Sequence, residues 1–325
     1  MEKILVLEPF PEDDRRRIEA AAPACEVVFC DQNTERAAYL AHMEDAAAII
    51  GDPKPEDLRL CRQLRWMQST WAGVEHYIPL LPADAELCNM SGGYGPVIAE
   101  YEIGAVLALC CRLPAYFENK QACRWQCAGF GKPLEGSTVL IVGAGDIGSS
   151  LAVRLRPLVG KIIGVRRTAR SGCEAFDEIV LQDELDRVLP QADIVCCSVP
   201  QTAQTAQMFD EARLRRMKRD AIFVNVGRGS LVDLDALCRV MDEGHLWGAA
   251  IDVTQPEPLP AEHPLWKQPR VILTPHVSGN AFGPDSPTQR RIWDFAVQNF
   301  VRWRTGQPRQ NVVDRKTGYR SGKPE

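Results

Sequence analysis

The chain has 325 residues, 45% of them hydrophobic and 25% charged, and a net charge of −5 from 38 basic and 43 acidic side chains. These are the proportions of an ordinary globular protein, and the length suits two domains better than one core. A mildly acidic balance offers no basic footprint for nucleic acid, and the longest apolar run, Ile103–Cys111, falls short of the ~20 residues that cross a bilayer.

The N-terminus, Met1-Glu2-Lys3-Ile4-Leu5-Val6-Leu7-Glu8, has no basic stretch leading a long apolar segment. It reads as a first β-strand, and a cytoplasmic location is expected. Short β-like runs follow at Ile4–Leu7, Val27–Cys30, Ala47–Ile50, Leu64–Ser69 and Glu86–Asn89, with helical stretches such as Pro11–Ala21 between them. Strand–helix alternation predicts a parallel sheet covered by helices. The segment from Ile98 to about Gln126 reads as one long helix despite Gly104 and Pro114. After the turn-rich Gly129–Pro133 a second alternation begins. Its expected strands are Thr138–Val142, Lys161–Val165, Ile194–Val199, Ala221–Val226, Trp247–Ile251 and Val271–Thr274. A helix over Ile147–Leu158 carries an apolar stripe at 147, 151, 155 and 158, and a last helix runs near Gln289–Arg304. The connections are long enough for crossover helices.

The 12 cysteines include no Cys-x-x-Cys, and the five histidines form no close pair. Reduced core thiols and no metal site are expected.

Gly143-Ala144-Gly145-Asp146-Ile147-Gly148 fits G-x-G-x-x-G. Alone the pattern is weak; after a strand and before an apolar-striped helix it predicts a dinucleotide site. Gly143 allows the tight turn, Gly145 lets backbone approach a pyrophosphate, and Gly148 permits close helix–strand packing. The helix start at Asp146 and Ile147 favours phosphate charge. A ligand-free glycine turn is the plainer alternative. At the end of the next strand, where an acid would hold the ribose 2′-hydroxyl of NAD, stand Arg166, Arg167 and Thr168. Two guanidiniums and a hydroxyl suit a 2′-phosphate, so NADP is favoured over NAD. Two solvated loop arginines are the alternative.

Three segments at the ends of later strands carry chemistry: Asn225-Val226-Gly227-Arg228-Gly229, Asp252–Pro258 around Glu257, and Thr274–Gly279 around His276. In an open α/β sheet the carboxyl ends of strands line the ligand crevice. Singly, each residue has an ordinary explanation. Arg228 between glycines could be a surface turn, Glu257 between prolines a solvated acid, and His276 after Pro275 a histidine bonded to backbone. Together, downstream of a dinucleotide loop in one sheet, they point to catalysis.

Over nearly its whole length the chain resembles the D-isomer-specific 2-hydroxyacid dehydrogenase family, with closest similarity to its glyoxylate/hydroxypyruvate reductase members. The resemblance rests on Trp71-Ala72-Gly73-Val74-Glu75-His76, the glycine loop, Val199–Thr205, the three segments with their Arg–Glu–His spacing, and Asn311-Val312-Val313-Asp314. It implies two doubly wound, Rossmann-like parallel-sheet domains with the active site in the cleft between them. Residues 1–99 and 286–325 would form a flavodoxin-like substrate domain, and 100–285 the NAD(P)-binding domain. The implied reaction is hydride transfer between NADP (or NAD) and a small 2-keto or 2-hydroxy acid. Arg228 would pair with the substrate carboxylate and the keto oxygen. His276 would be the general acid in reduction and the base in oxidation, a role that imidazole suits near neutral pH. Glu257 would hold the imidazole and stabilise its positive charge. Backbone N–H groups of Gly73 and Val74, beside Trp71 and Ala72, would receive the carboxylate. Asp252 would hold the nicotinamide carboxamide, and Pro200, Thr205 and Val226 would line the cofactor. Trp71 hints at a small substrate, or is simply a core or interface residue. A homodimer through 98–126 is expected, with Trp125 reaching a partner's site by analogy alone.

Two rivals follow. One is a non-enzymatic nucleotide sensor or corepressor on the same fold. The other is a sister enzyme acting on formate, phosphite or 3-phosphoglycerate.

Overall fold

The computed structural model describes residues 1–31, 34–167, 174–280 and 286–316, with the backbone of 319–320. The chain divides into two compact units, Met1–Tyr94 with Ala281–Glu325, and Gly95–Asn280. Each has its own parallel sheet.

In the first unit the elements are β1 (Glu2–Val6), α1 (Glu12–Ala21), β2 (Cys25–Phe29), α2 (Arg36–Met43), β3 (Ala46–Ile50), β4 (Trp66–Gln68) and β5 (Glu86–Cys88); strand and α-helix alternate as expected through β3, and then a short 3-10 turn at Pro55–Leu60 leads to β4, with no helix between β4 and β5. The sheet order is β2-β1-β3-β4-β5, the flavodoxin-like doubly wound order. Successive residues of β1 point to opposite faces. Ile4 and Val6 join one apolar cluster and Leu5 and Leu7 the other. A strand buried on both faces reads as a continuous apolar run, which is why this one shows no alternation.

The second unit opens with α3 (Gly95–Cys110) and α4 (Leu113–Gln121). The single helix expected over 98–126 is therefore two. The chain breaks at Arg112, which takes a left-handed φ of 56°, and Pro114 then lies in the first turn of α4, where the missing N–H of proline costs nothing. The elements β6 (Thr138–Val142), α5 (Asp146–Leu155), β7 (Lys161–Arg166), β8 (Glu178–Leu181), α6 (Leu185–Val188), β9 (Ile194–Cys197), α7 (Glu211–Arg216), β10 (Ile222–Asn225), α8 (Leu234–Asp242), β11 (Gly248–Ile251) and β12 (Val271–Leu273) follow. Helix α5 ends before the expected Leu158. Pro157 follows its C-cap, and Leu158 is exposed rather than a fourth stripe position. The seven-stranded order is β12-β11-β10-β9-β6-β7-β8. Connections leave β6 towards β7 on one side and return to β9 on the other, so the order reverses at the β6–β9 pair. Val142 at the end of β6 pairs in register with Cys197 at the end of β9.

The chain returns to the first unit in α9 (Pro287–Arg304), capped by the Ser286 hydroxyl, which accepts from the Thr288 N–H. Its Trp293, Ala296, Val297 and Phe300 complete the cluster around Ile4, Val6 and Trp66. A two-stranded pair, β13 (Val313–Asp314) and β14 (Tyr319–Arg320), comes last.

Among the described residues no helix is long and apolar enough to cross a membrane. The described cysteines are free thiols, mostly buried, with Cys111, Cys123 and Cys127 exposed.

One core residue defies the pattern. Glu102 on α3 is fully buried, and neither carboxylate oxygen has a partner among the described residues. Burial pushes its pKa well above the ordinary carboxyl value, which favours the neutral form. The folded chain then keeps a proton that the unfolded chain releases, and stability falls as pH rises beyond the ordinary carboxyl range. Replacing Glu102 by Met removes this unpaired polar group. Thermal unfolding should show a melting temperature raised by a few degrees, on the scale of ~2–4 °C per kcal/mol, with a larger gain at pH 8 than at pH 5. A gain that does not grow with pH removes this account.

Candidate active site

The glycine loop sits where the second sheet reverses order. At the end of β6, Gly143 has a φ of +107°, a conformation that favours glycine. The N–H groups of Gly143 and Ala144 both donate to the Val165 carbonyl, at 3.1 and 3.0 Å, tying the loop to β7. A Cβ on Gly143 would come within 3.0 Å of the Ser198 backbone, and one on Gly148 within 2.3 Å of the Gly143 carbonyl. Gly145 is different: a Cβ there would meet nothing within 4 Å. Its open side and the start of α5, with no side-chain cap at Gly145, turn the first-turn N–H groups of Ile147 and Gly148 towards an anion's place. These residues fit a dinucleotide's pyrophosphate.

Arg166 ends β7, and its Nε donates to the Ala144 carbonyl at 2.6 Å, which anchors the guanidinium beside the glycine loop. Arg167 lines an open cavity of about 430 Å³ with Gln182, Asp183, Gln204 and Arg213. Thr168 lies outside the described residues. After β9, the Thr205 hydroxyl donates to the Pro200 carbonyl at 2.6 Å and accepts from the Thr202 N–H at 2.8 Å. Thr205 is buried, so its hydroxyl shapes the turn behind Pro200. Val226, also buried, donates its N–H to the Cys197 carbonyl at 3.0 Å.

The three chemistry-bearing loops follow the adjacent strands β10, β11 and β12. Arg228 is half-buried in extended backbone, φ −141°. Its two glycine neighbours are forced by close approach: a Cβ on Gly227 would lie 2.4 Å from the Val199 carbonyl, and one on Gly229 1.9 Å from that of Thr254. The backbone carrying Arg228 thus rests directly on the loop that carries Glu257. Asn225, fully buried, braces it from below. Its amide donates to the Arg228 carbonyl at 3.0 Å, and its oxygen accepts from the Gly227 N–H at 3.1 Å. Sequence reading gave Asn225 no role. Its one signal was a polar residue ending a buried strand.

Glu257 and His276 are brought together. Glu257 Oε2 lies 3.2 Å from His276 Nδ1, while Oε1 accepts from the Thr254 N–H at 2.9 Å. The pair is about half exposed, with side-chain exposures of 42% and 51%, so it is worth at most ~1 kcal/mol of stability. Its value is directional. With Nδ1 turned to the carboxylate, Nε2 is the nitrogen presented for proton exchange.

His276 has a left-handed φ of 55°, which is costly for a non-glycine residue. Asp252 holds it there. The Asp252 carbonyl accepts from the His276 N–H at 2.7 Å. Its buried carboxylate accepts from the Thr274 hydroxyl (2.6 Å), the Val277 N–H (2.8 Å) and the Ser278 N–H (2.9 Å). Asp252 therefore frames the histidine loop, a use that the sequence did not reveal. Tyr101 of α3 extends the chain by bonding to the Thr274 hydroxyl at 2.5 Å.

In the first unit, the 69–74 loop follows β4. The Trp71 carbonyl accepts from the Met90 N–H at 2.9 Å, and that of Ala72 from the Asn89 amide at 2.7 Å. In a trans peptide the N–H points opposite to the C=O. The Ala72 and Gly73 N–H groups therefore point away from these partners. The Val74 carbonyl accepts from the Tyr77 N–H at 3.0 Å. Trp71 is half-exposed and lies parallel to Tyr94, with centroids 6.3 Å apart. Trp125 on the second unit is fully exposed.

A doubly wound parallel sheet with a glycine loop at its point of reversal defines an α/β protein of the dinucleotide-binding class. The family model "D-isomer specific 2-hydroxyacid dehydrogenase, NAD binding domain" matches residues 103–278, and the chain belongs to the D-isomer-specific 2-hydroxyacid dehydrogenase family. A family protein from Aeromonas salmonicida is similar in structure, with a TM-score of 0.83 at 31% identity over 97% of this chain and 99% of its own. The NADPH-dependent glyoxylate/hydroxypyruvate reductase of Sinorhizobium meliloti, solved with NADP and sulfate, gives a TM-score of 0.79 at 26% identity, covering 98% of this chain and 100% of that one. In sequence, glyoxylate/hydroxypyruvate reductase B of Yersinia enterocolitica is 33% identical over 223 residues, 67% of each chain.

Proposed function

We propose that the protein reduces small 2-keto acids such as glyoxylate and hydroxypyruvate to 2-hydroxy acids, with NADPH preferred over NADH. The observation that carries this reading is the Glu257–His276 contact of 3.2 Å on a loop adjoining the Arg228 loop in the nucleotide-binding sheet. When bound, the nicotinamide supplies the hydride. His276 Nε2 gives its proton to the keto oxygen as negative charge gathers there, and Glu257 stabilises the imidazolium before transfer. Arg228 draws the same oxygen and the substrate carboxylate with the planar fork of its guanidinium. The carboxylate is received by the amides of the 71–74 loop, Gly73 foremost. Asp252 positions the histidine loop, and an oxygen of its carboxylate remains the candidate partner for the carboxamide. A homodimer through the 98–126 segment and a cytoplasmic location belong to the same reading.

The cofactor preference rests on Arg166 and Arg167. A charge-assisted contact to a 2′-phosphate is worth ~1.5–3 kcal/mol, roughly 10- to 100-fold. Arg166→Asp should lower kcat/KM for NADPH by about that factor and keep or improve that for NADH. A panel of glyoxylate, hydroxypyruvate and pyruvate with each cofactor, on both proteins, tests the whole reading. NADH used as well as NADPH by the wild type rejects the preference. Tight NADPH binding without turnover on any keto acid favours the sensor alternative.

A further inference from the structure

We propose that Asp52 is a positioning residue for substrate binding, its buried carboxylate setting the backbone of the 69–74 loop so that the Ala72 and Gly73 amides are held ready for the carboxylate of a 2-keto acid. The inference rests on the proposed function, which seats that group on this loop.

Asp52 stands just past the carboxyl end of β3, beside β1, where the order of the first sheet reverses. That is where an open α/β sheet addresses its ligands. Only 9% of the residue is exposed. One carboxylate oxygen accepts from the Ser69 hydroxyl; the other accepts from the Thr70 hydroxyl and, at 2.9 Å, from the Thr70 N–H. The Ser69 hydroxyl oxygen in turn accepts from the Trp71 N–H at 3.0 Å. The Thr70 carbonyl accepts from the buried Tyr94 hydroxyl at 2.8 Å. From Ser69 to Ala72 every residue is thus fastened on its inner side, and the outward N–H groups are what remain.

Burial raises the Asp52 carboxyl above its ordinary range, and the hydrogen bonds from Ser69 and Thr70 act against that rise. Its neighbour Glu8, past the end of β1, is pushed up to about 8 by burial and by the Asp52 charge, which leaves Glu8 mostly protonated at neutral pH. A buried carboxylate needs its donors, and here all three come from the two residues that lead into the loop. Asparagine at 52 would keep the shape but turn an N–H₂ group towards donors, and the loop would shift. Small displacements of this kind cost binding and rate together with little loss of fold.

The test is steady-state kinetics of the full chain, wild type, Asp52→Asn and Ser69→Ala. NADPH is the cofactor, the best keto acid of the panel is the substrate, and oxalate serves as an unreactive carboxylate probe. KM for the keto acid and the inhibition constant of oxalate should rise about tenfold in Asp52→Asn, the scale of one lost charge-assisted hydrogen bond, and by less in Ser69→Ala. KM for NADPH should stay within about twofold, and kcat should fall less than KM rises. Unchanged KM and inhibition constant in a folded Asp52→Asn protein overturn the proposal and leave the function intact. Proportional losses in every parameter also overturn it, since they mark a merely structural role. If circular dichroism shows Asp52→Asn unfolded, Ser69→Ala decides on the same terms. A wild type that turns over no 2-keto acid overturns the functional reading and this proposal with it.

Discussion

His276→Ala should lower kcat for 2-keto acid reduction by about 10²- to 10⁴-fold, the range for loss of a general acid, while the dissociation constant of NADPH stays within about twofold. The asymmetry follows from the architecture. His276 sits on the loop after β12, half-exposed, and its side-chain contact is with Glu257. The elements proposed to bind phosphate follow β6 and β7, on other strands than the histidine loop. The fold should survive, because the Asp252 carboxylate binds Thr274, Val277 and Ser278 without the imidazole. Alanine tolerates the left-handed φ at position 276 poorly, so His276→Asn, which adopts that conformation more readily, serves as the companion variant. Stopped-flow measurement of NADPH binding and oxidation separates the two quantities. Near-normal turnover in both variants would remove His276 from the mechanism.

Arg228→Ala should be nearly as severe, with kcat/KM for the keto acid down by about 10²- to 10³-fold, the scale for loss of one donor to a developing oxyanion. Its effect should appear in KM as well as kcat, because the same guanidinium is proposed to bind the substrate carboxylate. Arg228→Lys keeps the charge but not the planar fork that meets two oxygens at once, so it should recover only a small part of the loss. The loop itself should hold. Its shape comes from the Asn225 side chain, which bonds the Gly227 N–H and the Arg228 carbonyl, and from backbone contacts at Gly227 and Gly229. An alanine variant with normal KM and kcat would take Arg228 off the catalytic list.

Much of this was legible in the sequence because local physics and function coincide. Buried parallel strands are short apolar runs, and Thr138–Val142 appears as read. The glycine loop is required by φ and close approach at Gly143 and Gly148, and those demands are written in residue type. Other features depend on partners remote in the chain. The strand Glu178–Leu181 lies outside the expected set: it is a four-residue sheet edge in which only Val180 is buried, so little apolar pattern marks it. The break at Arg112 arises from a left-handed residue that nothing in its type announces. Asp252 was read as a cofactor contact, yet its carboxylate supports the histidine loop through donors 22–26 residues away. Asn225 and Asp52 are cases of the same kind, polar side chains at the end of a buried strand or just past it, whose roles appear only when the receiving loop is seen.

The most direct measurement is a crystal structure of the ternary complex with NADP⁺ and oxamate, an unreactive mimic of a 2-keto acid. The account predicts His276 Nε2 and the Arg228 guanidinium both within about 2.6–3.2 Å of the oxygen that mimics the keto group. Oxamate bound with neither group in reach of that oxygen would contradict it.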